Sequence, residues 1–216
     1  MANFFIEQAR RHLAARQVQL ALQASRRATD EAPGDSAAWQ LRATIEADLG
    51  MHAEALASAE LAAQHASADA RACMLVADMA QAMNQHEKSA QALSRAVSLA
   101  PGWAVAWFRL GTYRFEQRDF EGAEAAFAKA LECDPGHARS WNNLSLVRLA
   151  QGRLEEAEEA AKRALAIQPD YAFAFVNLAK VAAARGREDE RKALEAVARG
   201  LAAVDAALAP ARPGAG

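Results

Sequence analysis

Four of the six prolines of this 216-residue chain, Pro33, Pro101, Pro135 and Pro169, lie 68, 34 and 34 residues apart. Trp39, Trp107 and Trp141 are separated by 68 and 34. Two unrelated residue types thus mark one period, and a fixed period of this size is the signature of a repeat array. Cutting at 34 gives the units 2–35, 36–69, 70–103, 104–137, 138–171 and 172–205, with no insertion or deletion. A frame this regular excludes most folds, because each unit must bury its apolar face against its neighbours.

The columns of the frame have physical reasons. Position 8 of the successive units reads Ala9, Ala43, Ala77, Gly111, Ser145 and Ala179. Position 20 reads Ala21, Ala55, Ser89, Ala123, Ala157 and then Arg191, and position 27 is alanine from Ala28 to Ala198. Small side chains in these columns let two helices approach closely. Position 4 holds Phe5, Trp39, Trp107, Trp141 and Phe175, rings suited to the space between units, with Cys73 in place of a ring in the third unit. Gly50, Asn84, Gly152 and Gly186 at position 15 tolerate a left-handed helix end. The proline at position 32 ends one helix and opens the next turn. Composition agrees: 59 alanines, the best helix formers, face only 15 Val, Ile and Thr combined. Each unit reads as helix, turn, helix, turn.

With these columns in view, the chain resembles the tetratricopeptide repeat family, whose signature is an aromatic, Leu-Gly, a tyrosine, Ala-x-x-x-Phe and Pro. Unit 104–137 carries Trp107, Leu110-Gly111, Ala123, Phe127 and Pro135, with Arg114 in the tyrosine column and Tyr113 one residue early. Unit 138–171 carries Trp141, Leu144, Ala157, Ala164 and Pro169. The resemblance covers 2–205 and implies an all-α, right-handed α-solenoid of six antiparallel helix pairs. The last unit departs: Arg191 and Glu195 replace small or apolar residues, and no proline stops the helix before about Leu208. Leu194, Val197, Leu201, Val204 and Leu208, spaced 3, 4, 3, 4, read as a C-terminal capping helix. The rival reading is a two-helix seam supporting a weak homodimer. Residues 209–216 read as a disordered tail.

Bulk properties exclude several function classes. A net charge of −2 gives no footprint for nucleic-acid binding. No apolar run approaches the roughly 20 residues of a membrane span. The N-terminus meets Glu7, Arg10 and Arg11 without a signal-like apolar core, so a cytoplasmic location is expected. Cys73 and Cys133 read as core thiols rather than a metal site. His52 and His86 share position 17 and read as packing residues, and no histidine pair has ligand spacing. Glu155, Glu156, Glu158 and Glu159 open a second helix, where acids complement its dipole. Neither a catalytic constellation nor a cofactor is expected.

What remains is surface. Positions 2, 5, 6, 9, 12 and 13 of each first helix share one face. The resemblance implies that this face lines the inner groove, the usual ligand surface of the family. In the last three units it holds Phe108, Arg109, Thr112, Arg139, Asn142, Asn143, Phe173, Val176, Asn177 and Lys180, with Glu116 the one acid. That excess of cations predicts an acidic ligand. Arg109, Arg139 and Lys180 are assigned to attract it, and Asn142, Asn143 and Asn177 to hold its backbone. Phe108 and Phe173 are assigned to apolar contact. Asn143 and Asn177, both at position 6, are similar to the asparagine ladder of O-linked N-acetylglucosamine transferases. The carboxylate clamp of chaperone-binding relatives is not matched, because Phe108 and Phe173 stand at its lysine places. The expected function is a protein–protein interaction adaptor binding an extended acidic peptide or a partner's helix. Two rivals are the recognition arm of a larger transferase or oxygenase, and a self-associating assembly factor.

Overall fold

The computed structural model describes residues 2–208. The described residues form twelve helices and no strand. These are α1 (Ala2–Ala14), α2 (Val18–Glu31), α3 (Ser36–Asp48), α4 (His52–His65), α5 (Ala70–Ala82) and α6 (His86–Leu99). They continue with α7 (Ala104–Glu116), α8 (Phe120–Cys133), α9 (Ala138–Ala150), α10 (Leu154–Ile167), α11 (Ala172–Ala184) and α12 (Glu188–Leu208). First helices begin at residues 2, 36, 70, 104, 138 and 172, and second helices at 18, 52, 86, 120, 154 and 188. Both series advance by 34. The 209–216 tail lies outside the described residues.

The helices group into two compact halves, α1 to α6 and α7 to α12. In the first, α1 to α6 pack consecutively, and α3 also touches α1 and α5. In the second, α7 to α12 pack consecutively, and α9 also touches α7 and α11. The architecture is an all-α solenoid of helix pairs.

The turns explain the phasing. The turn within each pair places position 15 at positive φ: Arg16 57°, Gly50 74°, Asn84 56°, Arg118 62°, Gly152 76° and Gly186 71°. Two arginines therefore adopt a conformation that glycine supplies elsewhere. The hydrogen-bond pattern of the helix end imposes it, with Gln17 N donating to His12 O at 2.8 Å and Asp119 N to Arg114 O at 2.9 Å. Between pairs, Asp35 and Asp69 cap the next helix by accepting from Ala37 N and Arg71 N at 2.9 and 2.8 Å.

The small columns are the core. Ala9, Ala21, Ala28, Ala43, Ala55, Ala62, Ala123, Ala130, Ala157 and Ala164 have no exposed surface. Rings of the position 4 column are half-buried. The indole N–H groups of Trp39 and Trp141 donate to the carbonyls of Pro33 and Pro135 at 2.7 and 3.0 Å. Arg163 lies over the Trp141 ring at 5.1 Å.

Two expectations are corrected. His52 and His86 are exposed, because position 17 is the first residue of the second helix and precedes its packed turns. Cys133 is exposed as the last residue of α8, whereas Cys73 is buried and its thiol pKa is raised, above all by that burial. The apolar stripe of α12 is only partly covered: Leu194 and Leu201 are half-buried, but Val197 is 45% exposed. The side chains of Val204 and Leu208 lie outside those described.

Candidate binding surface

The residues expected on the ligand face all belong to the C-terminal half, on α7, α9 and α11. Polar bonds join these helices side by side. Asn143 Nδ2 on α9 donates to Thr112 Oγ1 on α7 at 3.5 Å. Asn177 Nδ2 on α11 donates to both the carbonyl oxygen and Oδ1 of Asn142 at 3.0 Å. Asn142 Nδ2 in turn donates to Asn143 Oδ1 at 3.2 Å. A chain of amides thus crosses the three helices.

This chain changes the assignment of two residues. Asn142 and Asn177 are 6% and 4% exposed. Their amides are engaged across the α9–α11 seam, so they join helices rather than offering free groups to a ligand backbone. Buried amides of this kind hold their partners because breaking the bond would strand polar groups away from water. The repeat column paired Asn143 with Asn177 at a separation of 34, but the contact is between residues 35 apart, Asn142 and Asn177. The signal available in the sequence was the neighbouring Asn142-Asn143 doublet, which supplies both registers.

The remaining residues separate into half-buried and exposed. Phe108 is half-buried and packs on the Phe127 and His137 rings at centroid distances of 5.9 and 5.0 Å. Arg109 is half-buried, and desolvation lowers its pKa while the charge of Glu116 acts against the shift. Part of its field is thus already answered by an acid. Burial also lowers the pKa of His137, opposed by Asp134 and assisted by Arg139. Arg139 and Lys180 are exposed, and among the described residues neither forms an ion pair. Phe173 is 67% exposed and meets the Tyr171 ring edge-on at 5.8 Å. The outward-facing set is therefore Arg139, Lys180 and Phe173, with Asn143 partly accessible.

The family model for the tetratricopeptide repeat matches residues 75–138 and 108–172. Tetratricopeptide repeats therefore occupy this span of the chain. The repeat matches bracket α7 and α9, where the expected ligand face begins. Several solved structures share the fold. PilW, a type IV pilus biogenesis factor, is 20% identical, with a TM-score of 0.79 and coverage of 92% of both chains. YrrB, a tetratricopeptide-repeat protein with an unusual peptide-binding site, is 23% identical, with a TM-score of 0.67 over 79% of this chain and 88% of its own. PilF of Pseudomonas aeruginosa is 15% identical, with a TM-score of 0.76 over 89% of this chain and 88% of its own. No curated protein sequence matches the chain. Among the described residues, no group of three or more His, Cys, Asp or Glu could hold a metal ion, and no helix is long and apolar enough to cross a membrane.

Proposed function

We propose that this chain is an interaction scaffold of the cytoplasm whose first-helix face, on α7, α9 and α11, binds an extended acidic segment of a partner protein. One observation carries the reading: Arg139 and Lys180 stand exposed without carboxylate partners among the described residues, on the same face as Phe173, which is 67% exposed. Two uncompensated cations beside an exposed ring suit a ligand that alternates carboxylates with an apolar side chain. The peptide-binding site of YrrB, on the same fold, supports it.

In this reading Arg139 and Lys180 attract the ligand and Phe173 gives it an apolar anchor. Asn143 supplies the one accessible amide, while Asn142 and Asn177 keep the face in register. The test is fluorescence anisotropy with a labelled peptide of alternating Glu and Leu. Arg139→Glu combined with Lys180→Glu is expected to weaken binding by at least about ten-fold, which is about 1.4 kcal/mol. Raising the salt is expected to weaken wild-type binding. Equal affinity of wild type and double variant would remove this surface from consideration.

A further inference from the structure

Each helix pair presents a seat on which the first helix of the following pair rests. In the C-terminal half, α9 rests on α7 and α8, and α11 on α9 and α10. Under α11 the seat includes Asn142, Ala161 and Ala164, exposed by 6%, 0% and 0%. Thirty-four residues later the same positions are Val176, Glu195 and Ala198. With Phe173, Arg199 and Ala202 they border a hollow of about 450 Å³ between α11 and α12. Val176 is 37% exposed where its counterpart Asn142 is covered. The seat is repeated in the last pair, with Val176 and Ala198 as its apolar floor and Glu195, ion-paired with Arg191, where Ala161 stands in the internal seat.

The occupants of the internal seats define what fits. Position 3 of each seated helix is small and fully buried: Ala38 and Ala72 in the N-terminal half, Ser140 and Ala174 in the C-terminal half, all at 0% exposure. Four residues on, α5, α9 and α11 present Val76, Leu144 and Leu178 while α3 carries Arg42, and three further on the four helices present Ile45, Met79, Val147 and Val181. The small residue lets the backbones approach, and the two larger ones fill the groove beside it. The first helix of a second copy does not meet this description. It offers Phe4, Gln8 and Arg11 at the three positions, and Arg11 is paired with Glu7 at 3.5 Å. A bulky ring at the point of closest approach and a charge at the third position both oppose seating.

We propose that the seat between α11 and α12 is a docking site for an amphipathic helix of a different protein, carrying Ala or Ser followed by aliphatic residues four and seven positions later. Arg199 and the Arg191–Glu195 ion pair on α12 flank the site and select polar groups at the rim of the incoming helix. The site shares Phe173 with the peptide surface but does not rest on that reading.

The probe is a hydrocarbon-stapled peptide of residues 138–150 of this chain, which carries Ser140, Leu144 and Val147 in the required spacing. The staple offsets the cost of forming a short helix in water. Titrated against the full chain, it is expected to bind saturably. Val176→Lys, with helicity confirmed by circular dichroism, is expected to weaken binding by at least about ten-fold. A control peptide with Ser140→Phe is expected to lose a similar factor. Arg139→Glu with Lys180→Glu is expected to leave this binding within about two-fold while abolishing that of the acidic peptide, which separates the two surfaces. Absence of saturable binding, equal binding of the control, or indifference to Val176→Lys would overturn the proposal. So would a concentration-dependent dimer in sedimentation that Val176→Lys dissolves, because the seat would then belong to a second copy.

Discussion

Gly111 stands at position 8 of α7, and a Cβ added there would lie 2.7 Å from Cε1 of Phe127, a ring with no exposed surface. Gly111→Ala is therefore expected to destabilise. Overpacking costs roughly 1–3 kcal/mol, and the better helix propensity of alanine returns about 1 kcal/mol. A urea midpoint at or above that of wild type would contradict this. At Arg118, with φ 62°, the opposite sign is expected. Arg118→Gly relieves a left-handed conformation that costs a non-glycine residue roughly 1–2 kcal/mol. It also adds freedom to the unfolded chain, leaving a net gain of about 0.5–1 kcal/mol, measured by the same titration. At this scale the small columns were legible, because close helix contact admits few residue types. Glu46 was not. It has no exposed surface and accepts from Arg42 Nε at 2.8 Å and Ser58 Oγ at 2.6 Å, while Arg42 Nη1 also reaches Thr29 Oγ1 at 3.1 Å. The network of Glu46, Arg42, Ser58 and Thr29 joins α2, α3 and α4, and no single column of the repeat contains all its members.

Among elements, the joint between α8, α9 and α10 is electrostatic. Glu124 on α8 accepts from Arg148 Nε at 3.1 Å and from Arg153 Nη1 at 2.6 Å, and Arg153 also pairs with Glu156 on α10. Burial would raise the pKa of the Glu124 carboxyl, but the hydrogen bonds and charges of Arg153 and Arg148 outweigh it and hold the pKa below the ordinary value. A depressed folded-state pKa contributes stability above the unfolded value, near 4.3, and loses it as pH falls through the folded value. Glu124→Gln is expected to cost about 1 kcal/mol at neutral pH. The gap in Tm between variant and wild type is expected to close below about pH 4. A gap that persists into acid would mean the joint is held by shape alone. Helix positions were legible because turn residues recur every 34 residues. The seam between α9 and α11 was not, because Asn142 and Asn177 meet one residue out of column. The repeat predicts equivalence between units, whereas contacts across units depend on where a side chain leans.

Across the molecule, stability follows the number of neighbours. In the C-terminal half α9 packs against α7, α8, α10 and α11, whereas α12 packs chiefly on α11. In a chain stabilised by nearest-neighbour interfaces, opening starts where interfaces are fewest. Amides of α12 are expected to exchange at least about ten-fold faster than those of α9 in native-state hydrogen exchange. Uniform protection would show that α12 and α9 open together. The fold class was legible from the period alone, since any interruption would have put later columns out of step. The identity of a ligand was not, because the residues proposed to meet one, Arg139, Lys180 and Phe173, lie outside the packing columns. The amide seam has a consequence for descent. A duplicated 138–171 segment inserted in register would bring a second Asn143 to the place where Asn177 now meets Asn142. The seam would thus be copied along with the helices, so that a single unequal crossover could lengthen the molecule by 34 residues while keeping an amide at each new boundary.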